Sequence, residues 1–333
     1  MSVTIHEIAK AAGVSIATVS RVLNHSEHPV SGKTSQRVWD VADALGYLPN
    51  QLARSLRTEH TATVGIITDD ITSEFSPLIV RAIQDYLSER HYSTLIINAD
   101  REPEVEEAAI RSLLSRSVDG IIFVETWHRE ANQQLDRAAK PYVFAHRQFA
   151  KAYRNSVRPD ERVGPKLAMD HLLSLGHRRV AYINGPPNFF ASAERLQGYQ
   201  EALARSNVDF DPTLVASGDW KVDSGYAAMK EILRAQLLPT AVFAANDFMA
   251  LGAIYAIHDH GLRVPDDIAI VGYDDRDVAS LVRPSLTTVT MPCAEMGRAS
   301  ADMLLQLINN PFAEVEERRI SGKLIVRQSC GAK

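Results

Sequence analysis

The sequence predicts an α/β protein: a small helical domain at the N-terminus, then a core in which parallel strands alternate with helices and divide between two lobes. Three observations predict it. Residues 4–24 carry two short helical patterns joined by a glycine turn. From Thr63 onward, short apolar runs alternate with amphipathic helical stretches. The resulting eight strand-helix units exceed what one small sheet with a single crevice holds, and a polar, irregular run at residues 150–160 separates two sets of them.

In the first helix Ile5, Ile8, Ala9 and Ala12 recur at helical spacing, Gly13 supplies a left-handed turn, and Ser15 is placed to cap the second helix. There Val19, Val22 and Leu23 form the inner stripe and leave Ile16, Ala17, Ser20, Arg21 and Asn24 outside. A small exposed face carrying one arginine suits the major groove, where arginine reads guanine O6 and N7. Arg21 is therefore the first base-reading candidate. An ordinary helical hairpin with Arg21 in water has the same spacing, but the continuation argues against it. Ser31 is placed to cap a third helix with Val38, Val41, Ala42 and Leu45 inward, and Gly46 stops it.

Strands are expected near residues 63–68, 94–98, 119–124 and 141–145, then near 178–183, 214–217, 240–245 and 268–273. Helical patterns between them include 77–89, 104–115, 192–206 and 248–260. Parallel sheets bind ligands at the carboxyl ends of their strands. This directs attention to Asp69, Glu125 and His146 in the first lobe, and to Asn184, Trp220, Asn246 and Asp274 in the second. Strand-end polar residues also cap helices and shape loops, and Asp69, Asn184 and Asp247 fit that role better, Asp247 as the cap of the helix from Phe248. His146 suits a ligand donor and a satisfied structural histidine equally. Trp220 reads as a ring platform or as core.

Charge and composition narrow the function. The 333 residues carry a net charge of −5, yet residues 1–60 set six basic side chains against five acidic ones, a net of +1 that leaves −6 for the rest. The footprint for nucleic acid is modest, so affinity must come from dimerisation and well-placed contacts. Cys293 and Cys330 form no disulfide framework, metal spacing or redox motif. The N-terminus lacks an apolar signal core, and no run is long enough to span a bilayer, which points to a cytoplasmic chain without a membrane partner. An extracytoplasmic solute-binding protein would have no use for residues 1–57. An enzyme could cluster Glu125, His146 and Asp274 for metal or acid-base work, but the sequence has no HExxH, phosphate loop or nucleophile elbow. No cofactor is implied.

The stretches Gly-Val-Ser-Ile-Ala-Thr-Val-Ser-Arg-Val-Leu-Asn (13–24), Gly-Tyr-Leu-Pro-Asn (46–50) and Ala-Arg-Ser-Leu-Arg (53–57) resemble the lactose-repressor/galactose-repressor family of bacterial regulators. So do Gly-His-Arg-Arg-Val-Ala-Tyr-Ile-Asn-Gly-Pro (176–186), Arg-Leu-Gln-Gly-Tyr (195–199), Ala-Asn-Asp-Phe-Met-Ala-Leu-Gly (245–252) and Val-Gly-Tyr-Asp-Asp (271–275). The resemblance implies a helix-turn-helix headpiece over 1–48 and a hinge over 49–60. It implies a periplasmic-binding-protein-like core over 61–333, made of two doubly wound parallel-sheet lobes. The first lobe takes about 61–160 and 291–321, the second about 161–290 and 322–333, so the helix at 294–309 belongs to the first.

For DNA the resemblance implies contacts from Thr4, Ser15, Ile16, Ala17, Thr18, Ser20, Arg21 and Asn24. The hinge adds Asn50, Ala53 and Arg54, with Leu56 wedged into the central base step. For an effector it implies Arg195, Trp220, Asn246 and Asp274, a mixture suited to a sugar's apolar face and hydroxyls. Two departures stand out: Phe75-Ser76 where many members carry two aromatics, and His146-Arg147 where many carry Asp-Arg. Phe75, Ser76 and His146 from these departures, with Glu125 and with Phe189 of the aromatic loop Phe189-Phe190, complete a candidate effector set of nine. The partners implied are a palindromic double-stranded operator, a sugar-like effector and a second copy in a C2 homodimer. An inducer is the expected sign of control, with a corepressor as the alternative.

Overall fold

The computed structural model describes residues 3–23, 30–47, 60–125, 140–146 and 154–332. The chain separates into two compact units, Met1–Thr61 and Ala62–Lys333.

Three helices form the first unit: α1 (Ile5–Ala12), α2 (Ile16–Leu23) and α3 (Gly32–Ala44). Each start is held by a local polar contact. The Thr4 N–H and hydroxyl both donate to the Glu7 carboxylate, at 2.7 and 3.0 Å, and the Thr18 and Thr34 N–H groups donate to Ser15 Oγ and Ser31 Oγ, at 3.1 and 3.3 Å. Gly13, at φ 65°, reverses the chain between α1 and α2 in a conformation that costs glycine little. The buried stripe Ile8, Ala9, Ala12, Val19, Val22, Leu23, Val38 and Ala42 then closes a small core, with Trp39 and Tyr47 packed against it. Leu45, expected inward, is 40% exposed. It lies one residue past the end of α3, where the chain has left the helical stripe, and Gly46 follows in the left-handed region.

The second unit contains two six-stranded sheets. β1 (Thr63–Thr68), β2 (Ser93–Asn98), β3 (Gly120–Val124), β4 (Tyr142–Ala145), β5 (Ser156–Pro159) and β11 (Arg318–Ile320) pair in parallel in the order β11-β5-β4-β3-β1-β2. β6 (Val180–Asn184), β7 (Val215–Ser217), β8 (Ala241–Ala244), β9 (Ala269–Asp274), β10 (Thr287–Thr290) and β12 (Leu324–Ile325) follow the order β12-β10-β9-β8-β6-β7, with only β12 antiparallel. The central strands are buried on both faces, which explains their unbroken apolar runs.

The connecting helices are α4 (Ser76–Ser88), α5 (Pro103–Ser115), α6 (Val163–Ser174), α7 (Phe190–Arg205), α8 (Val222–Ile232), α9 (Asp247–Asp259), α10 (Asp277–Leu281) and α11 (Cys293–Asn309). α11 packs on α4 and against β3, β4 and β5 of the first sheet, although its sequence follows the second.

All eight strands expected above are present, β12 falls in a strand-like run at 324–327, and β5, β10 and β11 are additional. The run at 150–160 that reads as irregular contains β5. Its Arg158 is buried and looks like a loop residue in sequence. In the fold its guanidinium makes two hydrogen bonds to the Glu317 carboxylate, at 2.8 and 3.1 Å, and lies 5.3 Å from the Phe190 ring. β10 escapes notice because its buried Thr287 and Thr288 are polar.

α8 and α9 touch backbone to backbone. A Cβ on Gly252 would stand 2.0 Å from the Val222 carbonyl oxygen, and one on Gly225 2.3 Å from that of Met249. Because backbone atoms cannot step aside as a side-chain tip can, Gly252→Ala should destabilise the second unit by about 1–3 kcal/mol despite alanine's better helix propensity. Urea unfolding followed by fluorescence should show a lower midpoint.

Candidate functional site

The carboxyl ends of both sheets face one cavity of about 360 Å3, within the second unit. Loops after the strands supply its lining. Phe75 precedes α4, His146 follows β4 and Glu161 lies between β5 and α6. Phe189 caps α7, which also contributes Arg195. Trp220 precedes α8, Asn246 caps α9, and Asp274 ends β9 with Arg276 two residues on. His146, Trp220 and Asp274 all sit at positive φ, at 65°, 74° and 106°. Such strained backbone costs of order 1–3 kcal/mol per residue and is sustained only where its surroundings fix it.

The aromatic wall is built by close contacts. A Cβ on Gly185 would meet the Trp220 indole at 2.0 Å, so the absent side chain is what lets the ring lie on the loop backbone. Phe189 meets that indole edge-on at 5.9 Å, and Phe75 meets His146 edge-on at 5.5 Å.

The charged residues are buried in pairs. Arg195 Nε donates to Glu161 at 2.7 Å, its Nη1 donates to the Ala245 carbonyl, and its guanidinium carbon lies 3.9 Å from the centre of the Tyr273 ring. Burial opposes its charge, while Glu161 and its neighbours hold its pKa above the usual arginine value. Arg276 donates to Asp274 Oδ2 through Nε (3.0 Å) and Nη2 (2.9 Å) and pairs with Glu74 through Nη1. The rings of Phe75 and Phe248 flank it at 5.0 and 4.6 Å. Burial pushes Asp274 up to about 6 against the opposing pull of Arg276 and Arg195.

Seven of the nine effector candidates from the sequence line this cavity: Phe75, His146, Phe189, Arg195, Trp220, Asn246 and Asp274. Ser76 and Glu125 do not. Ser76 points inward, and its hydroxyl donates to Asp69 at 3.4 Å, while Glu125 is buried directly after β3. Phe190 turns away to Arg158. The cap of α9 expected of Asp247 is supplied by Asn246, which also lines the cavity. Asn246 is the cap of α9, its Oδ1 accepting the Met249 N–H at 2.8 Å, and its Nδ2 donates to the Trp220 carbonyl at 2.9 Å. It therefore fixes the tryptophan loop with both ends of its amide.

Asp247 lies one position inside α9, fully buried, and accepts from Thr288 Oγ1 (2.6 Å) and the Arg276 N–H (2.7 Å). Asn184 serves its loop as expected, its Oδ1 accepting from the Tyr182 hydroxyl and the Gly185 N–H. The sequence reading missed Glu74, Glu161 and Arg276. The only local hint was Arg276 standing two residues after Asp274, since the partners are brought together by packing.

In the first unit Ser15, at the start of α2, and Ile16, Ala17 and Arg21 on it are exposed, and Thr18 and Ser20, the latter expected outside, are half-buried, as neighbours of the inner stripe. Thr4 is exposed at the start of α1. Asn24, Asn50, Ala53, Arg54, Leu56 and Arg147 lie outside the described residues.

Two family descriptions match the chain: "Bacterial regulatory proteins, lacI family" over residues 4–50 and "Periplasmic binding protein-like domain" over residues 169–330. Catabolite control protein A of Priestia megaterium is 33% identical over 334 residues, with 99% of each chain covered. The transcriptional regulator CelR of Thermobifida fusca is 37% identical over 335 residues, with 98% of each covered. Among solved structures, the lac repressor dimer bound to operator and an anti-inducer matches with a TM-score of 0.78 at 31% identity and full coverage of both chains. A CelR–cellobiose complex matches with a TM-score of 0.69 at 36% identity, covering 98% of this chain and 99% of that one.

Asp247 carries a testable pH signature. Burial, reinforced by the Asp274 carboxylate, raises its pKa from the usual carboxylate value to about 8. The folded chain therefore keeps a proton that the unfolded chain has lost, and stability falls as pH rises from about 4 through about 8. Asn can still accept the Arg276 N–H at Oδ1 and donate through Nδ2 to Thr288 Oγ1, and it does not titrate. Melting temperatures of Asp247→Asn should therefore decline less than those of the parent over that window.

Proposed function

The chain belongs to the lacI family of bacterial regulatory proteins, DNA-binding transcription regulators, and from that premise we propose that it represses a carbohydrate-utilisation operon and is released by a sugar-like inducer. It acts in the cytoplasm as a homodimer on an approximately palindromic operator, one headpiece per half-site. The observation that carries the reading is that one chain holds an exposed Ile16–Arg21 face on α2 and, in its other unit, a cavity combining an indole wall with buried carboxylates.

In the DNA contact, Arg21 donates to a guanine edge and Ile16 packs on a thymine methyl. Arg21→Ala should cost roughly 1–3 kcal/mol of operator affinity and relax selection at one symmetric position. Selection of binding sites from random duplexes checks this, and unchanged preference would refute the assignment.

In the cavity, Trp220 takes the apolar face of a sugar ring, Phe75 and Phe189 flank it, and Asp274 and Asn246 hold hydroxyls with whatever hydrogen-bonding capacity their internal partners leave. A ligand that touches loops of both sheets favours one relative orientation of the lobes, and a coupling of about 1–3 kcal/mol changes operator affinity roughly 5- to 150-fold. Release is the proposed sign, because a catabolic regulator gains by freeing DNA when substrate arrives. Trp220→Ala should bind operator as the parent does but require far more sugar for release. Anisotropy titrations of labelled operator read both quantities, and ligand that tightens DNA binding would make the effector a corepressor.

A further inference from the structure

We infer that the cavity selects an uncharged ligand and rejects sugar acids and phosphorylated compounds. The inference rests on the cavity being the effector site and adds the ligand's charge class. Its basis is the pairing of the three guanidinium groups among the described lining residues. Arg195 is 4% exposed and is held by Glu161, the Ala245 carbonyl and the Tyr273 ring. Arg276 gives two nitrogens to Asp274 and the third to Glu74, with aromatic rings over it. Arg101 stands 3.7 and 3.9 Å from Asp69 and Asp70.

Among the described lining residues four carboxyl side chains (Asp70, Glu74, Glu161 and Asp274) stand against three guanidinium groups. An incoming carboxylate or phosphate meets an excess of like charge. To gain Arg195, or the Arg276 nitrogens that hold Asp274, it must also strip a buried pair and leave Glu161 or Asp274 desolvated and alone, while the more exposed Arg101 already faces Asp69 and Asp70. A neutral polyol makes neither demand. It can donate hydroxyls to carboxylate lone pairs that the arginines do not use, and it can stack on Trp220.

Glu74 is where this selectivity can be reversed. It is half-exposed at the cavity mouth and occupies Arg276 Nη1, so its carboxylate stands where the acidic group of an anionic ligand would go. The test uses the full chain and matched pairs: D-glucose with D-glucose 6-phosphate, cellobiose with cellobionate, and adenosine with its 5′-monophosphate. Inorganic phosphate alone is a further probe against chloride at equal ionic strength. Calorimetric binding and melting temperature are the readouts.

For any pair that binds the parent, the uncharged member should bind more tightly by roughly a hundredfold or more. Inorganic phosphate should not stabilise the parent. Glu74→Gln should gain phosphate-dependent stabilisation and about tenfold tighter binding of the anionic members, and Glu74→Gln/Arg276→Gln should lose both gains.

An anionic member preferred by the parent would overturn the inference. So would phosphate that fails to stabilise Glu74→Gln, even if no pair binds the parent. Binding of adenosine without any sugar would refute the carbohydrate reading and still uphold charge selection.

Discussion

The cost of burying charge between two sheets organises the core of this protein. Where the carboxyl ends of two parallel sheets face one another, the polar residues that end the strands are taken out of water together. A guanidinium or carboxylate in that position is tolerated only with a partner and with its remaining hydrogen bonds satisfied. Arg195 with Glu161, and Arg276 with Asp274 and Glu74, meet that demand. Their partners come from loops after different strands, so the pairs fix the loops as well as the charges. Arg276 does this across the cavity, joining Glu74 and Phe75 beside the first sheet to Asp274 and Phe248 beside the second.

The same demand makes titration part of the architecture. Burial raises both Asp247 and Asp274, the Asp274 carboxylate raises Asp247 further, and the Arg276 backbone N–H and side chain answer the two of them separately. Gly272 completes the arrangement, since a Cβ there would stand 2.4 Å from the Asp247 carboxylate.

Side chains reach the cavity because the backbone is held in unusual places. Trp220 is presented by a loop at φ 74°, anchored through its carbonyl by the Asn246 amide and laid against Gly185. Asn246 in turn caps α9, whose close approach to α8 through Gly225 and Gly252 fixes where that helix begins. Helix packing, helix capping and the position of the aromatic wall are therefore one mechanical unit.

The sequence by itself determined the helical headpiece, the alternation of strand and helix, and seven of the residues that line the cavity. Those features rest on local signals: the 3.6-residue stripe of Ile8, Ala12, Val19 and Val22, the glycine at the turn, and apolar runs that end in polar residues where parallel strands end. Only the tertiary structure decided the rest. β5 and β10 are strands because partners far along the chain satisfy Arg158, Thr287 and Thr288. The cap of α9 is Asn246, because Asp247 is drawn inward by Thr288 and the Arg276 N–H. Glu74, Glu161 and Arg276 enter the site by pairing across distances that no spacing pattern encodes, since burial and charge complementarity act between residues only once the chain has brought them together.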